Sequence, residues 1–290
     1  MIRRPLAFGV ALCIVVAAFV AGAALTQMHR APAAAQAYPR AVSLAPDALL
    51  AQAAVLYDAT SGRILYQKNA STQLPLASLT KLVTAQTVLS RRDPSTVVTI
   101  TPADLKPEGG GGLEAGDTLT LDALLRFGLV ASNNDAMAAA ASSLGDNYLS
   151  ALNQTAQTLN LTKTYFLNPT GLDLTDETSG AYGSAYDVAR LAAAFYKNHP
   201  AYFELTTYPD VSIQDGSRTL TAAATAKPLQ DIPGFVGAKT GYTDLAGGNL
   251  AAIFDLEPGR PVVAVVLHST EPGRFSDIKT LIDAVRAQNP

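Results

Sequence analysis

Three short patterns in the chain combine residue types that acyl transfer needs. In Ser78-Leu79-Thr80-Lys81, helical spacing sets the Lys81 amine over the Ser78 hydroxyl, one turn away. A serine hydroxyl is a poor nucleophile at neutral pH and needs a base beside it. A lysine serves as that base when burial or a neighbouring cation lowers its pKa. Taken alone the pattern is weak: with 16 serines and eight lysines, about half of one S-x-x-K arises by chance. Ser276-Asp277-Ile278-Lys279 is a second match and reads as a capped helix start with a solvated lysine. Ser132-Asn133-Asn134 follows an apolar helical stretch, where residue frequencies favour a plain helix-to-helix turn. Lys239-Thr240-Gly241 ends a strand, and only about a tenth of a K-[ST]-G is expected by chance. All three in this order would arise by accident roughly once in a hundred chains or less often.

The elements around these patterns have their own signals. Ala53–Tyr57 and Arg63–Gln67 read as a hairpin closed by Asp58-Ala59-Thr60-Ser61-Gly62. A helix is predicted from Ser78 to Leu89, and Thr120 can cap another over Leu121–Val130. Ala136–Leu144 and Tyr148–Leu159 are helical stretches, and Ser184-Ala185-Tyr186-Asp187 resembles a capping box opening a helix to Asn198. Strand character follows Thr219, with Phe235–Lys239, Gly248–Asp255 and Pro261–His268, before a closing helix Ser276–Ala287. The four glycines 109–112 lack a G-K-[ST] ending and read as a flexible surface loop. Strands at both ends with helices between them give an α+β domain, a sheet covered by helices.

Composition narrows the function. The chain has 290 residues, 48% apolar and 16% charged, enough to bury a core and too little charge for disorder. Residues 1–40 hold four of the 21 basic residues and none of the 24 acidic ones, so the body is acidic and has no footing on nucleic acid. Cys13 is the only cysteine, and His29, His199 and His268 lack metal-ligand spacing, so neither a disulfide framework nor a zinc hydrolase fits. Met1-Ile2-Arg3-Arg4 precedes an uncharged apolar run to Leu25, the pattern of export. Residues 1–25 are expected to be a retained anchor or a cleaved signal, with retention preferred. The Ala/Pro-rich residues 26–50 read as a tether, and residues 51–290 as one catalytic domain.

The three patterns resemble the S-x-x-K, S-D-N and K-T-G signature shared by class A β-lactamases and penicillin-binding proteins, with Asn133 in the middle of the second. The body resembles the low-molecular-mass penicillin-binding proteins, the serine D-Ala-D-Ala carboxypeptidases of the S11 peptidase type. Further matching stretches are Val55-Leu56-Tyr57-Asp58-Ala59, Asn168-Pro169-Thr170-Gly171-Leu172, Gly237-Ala238-Lys239-Thr240-Gly241-Tyr242-Thr243 and Gly273-Arg274-Phe275-Ser276-Asp277. Ser132-Asn133-Asn134-Asp135-Ala136 departs from the family's S-G-N-D-A at Asn133. The resemblance implies a β-lactamase/transpeptidase-like fold, an antiparallel sheet covered by helices with a helical subdomain. It makes Ser78 the acylated nucleophile, Lys81 its general base and Ser132 a proton relay. It places Asn134, Lys239, Thr240 and Arg274 on the substrate, Arg274 holding the terminal carboxylate, with the N–H groups of Ser78 and Tyr242 as oxyanion hole.

On this reading the partners are peptidoglycan stem peptides, β-lactams as covalent inhibitors and a membrane reached through the N-terminal segment. No metal and no cofactor is expected. Larger members continue into a β-rich domain and an amphipathic helix, so here residues 5–25 are the expected anchor. No counterpart of the glutamate that deacylates class A β-lactamases is found. A DD-endopeptidase of cross-links is the alternative within the same chemistry. A catalytically idle β-lactam or cell-wall binding module is the alternative outside it.

Overall fold

The computed structural model describes residues 39–289 other than Ser217. Ala53–Asp58 (β1) and Ile64–Lys68 (β2) form the expected hairpin. Its turn is built by the Asp58 carboxylate, which accepts from the Thr60 and Ser61 N–H groups. Leu74–Pro75 (β3) leads into a 3-10 turn, Ala77–Thr80, and then the helix Lys81–Leu89 (α1). Two strands absent from the sequence expectation, Val97–Thr99 (β4) and Thr118–Thr120 (β5), pair and bracket the glycine run. At three residues each they are too short to show alternation.

Leu121–Val130 (α2) starts on Thr120, whose hydroxyl accepts from the Ala123 N–H as the sequence predicts. Asn134–Ser142 (α3) begins two residues earlier than expected because Asn133 caps it. Tyr148–Thr158 (α4) follows, then Tyr165–Phe166 (β6) and Ala181–Gly183 (β7), which pair with each other, β7 also pairing with β3. Ser184 caps Ala185–Asn198 (α5). The Asp187 carboxylate accepts from the Lys163 N–H and the Thr164 hydroxyl instead of closing a capping box. Pro200–Glu204 (α6) precedes a second unexpected hairpin, Asp210–Asp215 (β8) with Arg218–Ala223 (β9).

The remaining strands are Phe235–Thr243 (β10), Gly247–Asp255 (β11) and Pro261–Ser269 (β12), and the chain closes with Gly273–Gln288 (α7). The main sheet runs β10-β11-β12-β1-β2 with antiparallel pairing throughout, so β10 is an edge strand. Period-2 alternation gives it two apolar faces. Val55, Ala251, Ile253, Val263 and Val265 face one layer with Leu82 and Val83 of α1 and Val188 and Leu191 of α5. Leu56, Leu250, Phe254 and Val266 face the other, against Ile278, Leu281, Ile282 and Val285 of α7. The architecture is α+β as expected.

Two boundaries differ from the sequence expectation. The tether does not last to residue 50. Val42 and Leu49 are buried in the α7-side layer, the Val42 N–H donates to the Leu65 carbonyl at 2.8 Å, and Leu50 and Ala51 bond Asp277. The last helix starts at Gly273, three residues before Ser276. Residues 1–25, the expected signal or anchor, lie outside the described residues. Among those described, no helix is long and apolar enough to cross a membrane.

Candidate active site

The 3-10 turn entering α1 brings residues three apart onto one edge. Lys81 Nζ thereby donates to Ser78 Oγ at 2.6 Å. The turn is held open by a left-handed residue, Ala77 at φ 48°, a conformation that costs a residue with a Cβ about 1 kcal/mol or more. A second loop closes over it. Asn168 Oδ1 accepts from the Thr170 and Gly171 N–H groups, and its Nδ2 donates to the Leu172 carbonyl. Gly171 has to be glycine: φ is 82° and a Cβ would stand 1.8 Å from the Ala77 carbonyl oxygen. The loop so shaped aims the Thr170 carbonyl at Lys81 Nζ, 3.1 Å away. This third contact of Lys81 has no side-chain signature; only Asn168 and Gly171 around it could have signalled it.

Across the cleft, Ser132 takes φ 58° between α2 and α3. The next residue, Asn133, caps α3 by accepting from the Ala136 N–H at 2.8 Å. An asparagine where the family has glycine thus has its own structural task. Asn134 Oδ1 accepts from Lys81 Nζ at 2.6 Å, so the first two patterns meet at one amine. The third pattern arrives on β10, where Lys239 Nζ donates to Ser132 Oγ at 2.8 Å and to the Thr240 carbonyl at 2.9 Å.

Both lysines are buried and each bonds only neutral acceptors. Burial lowers the Lys81 pKa to about 7, so near neutrality much of it is the free amine. Lys239 is pushed well below its ordinary value by burial, and further by the charges of Lys81 and Arg274. Arg274, almost wholly buried, donates from Nη1 to the Gly241 carbonyl at 2.8 Å, and its Nε has no hydrogen-bond partner. Its nearest carboxylate, on the exposed Glu271, is 3.7 Å away at the rim. Three basic side chains, one of them a guanidinium, with so little negative charge between them make a site suited to an anion.

The remaining expected residues sit along β10. Thr240 Oγ1 donates to Thr225 Oγ1 at 2.7 Å, a partner that sequence reasoning missed because Thr225 belongs to no pattern. Gly241 passes close enough to Ser78 that a Cβ would lie 3.2 Å from its nitrogen. Tyr242 follows and is 48% exposed. Beyond it a groove of about 990 Å³ runs between Tyr242–Leu245, residues 103–108 and Asn168–Asp176. The second S-x-x-K lies elsewhere: Lys279 pairs with Asp283 on the exposed face of α7. The geometry holds a hydroxyl on a buried amine of lowered pKa, beside two further basic side chains and an unpaired sheet edge.

A family model described as D-alanyl-D-alanine carboxypeptidase, peptidase S11, matches residues 40–271. The chain belongs to that family. DacF of Bacillus subtilis, named a D-alanyl-D-alanine carboxypeptidase, is 30% identical over 247 residues, covering 82% of this chain and 62% of DacF. The chain therefore spans less than two thirds of DacF's length. A solved D-alanyl-D-alanine carboxypeptidase from Mycobacterium tuberculosis H37Rv superposes with a TM-score of 0.78 at 28% identity, covering 88% of this chain and 97% of that one. Penicillin-binding protein D2 from Listeria monocytogenes in its ampicillin-bound form gives 0.73 at 27% identity, covering 84% and 98%. The β-lactamase/transpeptidase-like architecture expected from the sequence is thus the family's fold.

Proposed function

We propose that the chain is a serine-type D-alanyl-D-alanine carboxypeptidase that removes the terminal D-alanine of peptidoglycan stem peptides through an acyl-enzyme. The observation that carries this is Ser78 Oγ on the buried, near-neutral amine of Lys81. Lys81 Nζ takes the Ser78 proton as Oγ attacks the scissile carbonyl, and the N–H groups of Ser78 and Tyr242 receive the developing oxyanion. A single such donor is typically worth about 3 kcal/mol. The leaving D-alanine amine takes a proton through Ser132, whose hydroxyl is held by Lys239. Water then attacks the acyl carbon, Ser78 recovers its proton and the shortened peptide leaves.

Recognition follows from charge and strand geometry. The D-alanine carboxylate fits among Thr240, Lys239 and Arg274, where a guanidinium with unused donors offers charge-assisted bonds. The acyl side of the peptide extends along the open edge of β10 as an added strand, with Asn134 on its amide. Its more distant residues enter the groove beyond Tyr242. The ring of a β-lactam, with its own carboxylate, occupies the same place and acylates Ser78. Residues 1–25 take the chain across the cytoplasmic membrane and hold it at the outer face.

D-Alanine release from a stem pentapeptide ending in D-Ala-D-Ala, measured on the full chain, tests this reading. Release at a rate abolished by Ser78→Ala is expected. Cleavage of cross-linked muropeptides without pentapeptide trimming would make it an endopeptidase. No turnover of either by a folded sample would leave a binding module.

A further inference from the structure

The four glycines 109–112 are exposed, as the sequence predicts, yet they are not a free surface loop. Three consecutive side chains at the start of α3 hold them. Asn133 Nδ2 donates to the Gly111 carbonyl at 3.0 Å, Asn134 Nδ2 donates to the Glu108 carbonyl, and the Gly111 N–H donates to Asp135 Oδ2 at 2.6 Å. Asp135 is buried, and its other oxygen, Oδ1, is without any hydrogen-bond partner. The loop lies directly on that carboxylate: a Cβ on Gly110 would stand 2.0 Å from Oδ1 and 2.1 Å from Cγ and Oδ2.

The middle member of this clamp is a site residue. Asn134 spends one amide hydrogen on Glu108 and uses Oδ1 to accept from Lys81 Nζ at 2.6 Å. One N–H remains for a substrate carbonyl. The amide is therefore oriented from two sides, by the loop backbone and by the general base. Neither Asp135 nor any of the four glycines bonds Ser78, Lys81 or Lys239. A long glycine run latched to a buried carboxylate loses much backbone entropy on ordering, a cost that positioning of Asn134 would explain.

We propose that segment Glu108–Gly112, latched by Asp135, is a positioning element for Asn134, and that Asp135 is a positioning residue of the acylation step. The proposal rests on the acyl-enzyme reading of Ser78 and Lys81. When the latch is lost, the Glu108 carbonyl withdraws, Asn134 rotates, and Lys81 loses one acceptor. Acceptors favour the charged amine, so the loss moves the Lys81 titration to lower pH. Lys239, the other amine beside Lys81, keeps its bond to Ser132 through the change.

The test is the second-order rate of acylation by a fluorescent penicillin, measured against pH on the full chain. Gly110→Ala is the sharpest probe, because Gly110 is exposed and the atoms nearest its added methyl are those of the Asp135 carboxylate. Gly110→Ala and Asp135→Ala should each slow acylation about ten- to a hundredfold and shift its acid limb to lower pH. Asp135→Asn, which keeps an oxygen for the Gly111 N–H, should restore the rate to within about threefold of wild type. Simple fraying of the loop would leave the acid limb in place. Unchanged rates and acid limb in folded Gly110→Ala overturn the proposal, even if Asp135→Ala fails to fold. Failure of the wild type to acylate at all would remove the acyl-enzyme reading itself, and the proposal with it.

Discussion

The two ends of β10's sheet partners treat buried charge in opposite ways. Behind the sheet, at the start of α7, the Asp277 carboxylate accepts from the Leu50 and Ala51 N–H groups, both at 2.9 Å, and from the Ser269 hydroxyl at 2.7 Å. Every contact compensates its burial and ties the N-terminal segment and β12 to the last helix. In front, Lys81 and Lys239 are equally buried but face only hydroxyls, a carboxamide and backbone carbonyls. There the desolvation of charge is left unbalanced, and the amines respond by giving up protons. One fold thus uses a satisfied buried carboxylate to hold itself together and leaves unsatisfied amines at the candidate site.

The largest effects should come from breaking the front. Lys81→Ala removes the proposed base and should slow acylation by about 10²- to 10⁴-fold. Ser78→Ala should end covalent penicillin labelling altogether. In the wild type, acylation should fall by up to tenfold per pH unit below about 7, where Lys81 becomes protonated. Rate–pH curves from stopped-flow labelling check both; a flat profile between pH 5 and pH 8 would detach the reaction from that amine.

Breaking the back should do the reverse. Asp277→Ala strands three donors in a buried place and should cost about 2–4 kcal/mol of stability. The acid limb of acylation should not move, since Asp277 bonds none of the site residues. Denaturant melts and rate–pH curves on one preparation separate the two outcomes. A shifted limb with unchanged stability would erase the distinction drawn between the faces.

Arg274 stands between the two regions, rooted in α7 but reaching the β10 carbonyl of Gly241. If it reads a terminal carboxylate, Arg274→Ala should lower kcat/KM about ten- to a hundredfold for peptides with a free C-terminus. Peptides amidated at that end should be poor substrates for wild type and variant alike. An equal loss on both would make Arg274 a brace for β10.

The sequence made the front far more legible than the back. Ser78, Lys81, Ser132, Asn134 and Lys239 fall in three short patterns, and the structure bonds Lys81 to Ser78 and Asn134, and Lys239 to Ser132. The caps Thr120 and Ser184 were readable because a cap is local chemistry. What depends on distant chain was not. The Thr170 carbonyl is a backbone atom, the docking of 109–112 needs α3 beside it, and residues 42–50 read as tether because Leu65 and the distant Asp277, which hold them, lie outside the segment. The β8–β9 hairpin had a visible alternation, with Val211 and Ile213 inward, and a turn signal in Asp215-Gly216 that the sequence reading passed over.

The contrast between the faces has a last consequence in the pH dependence of folding. In the unfolded chain each lysine takes its proton near 10.5, whereas folded Lys81 does so near 7 and Lys239 well below 10.5. Between about 7 and 10.5 the unfolded state therefore binds more protons than the folded one, and stability must rise with pH. Each buried amine contributes a slope of up to about 1.4 kcal/mol per pH unit. Wild type should lose stability as the pH is lowered through this window, and Lys81→Ala should lose it less steeply, keeping only the share of Lys239. Urea titrations across the window give both slopes. Asp277→Ala should be less stable at every pH but run parallel to wild type, because the titrating amines are intact. Equal slopes for wild type and Lys81→Ala would mean that Lys81 keeps its ordinary proton affinity in the fold. The front would then hold an ordinary charged lysine, and burial could not be what turns Lys81 into a base.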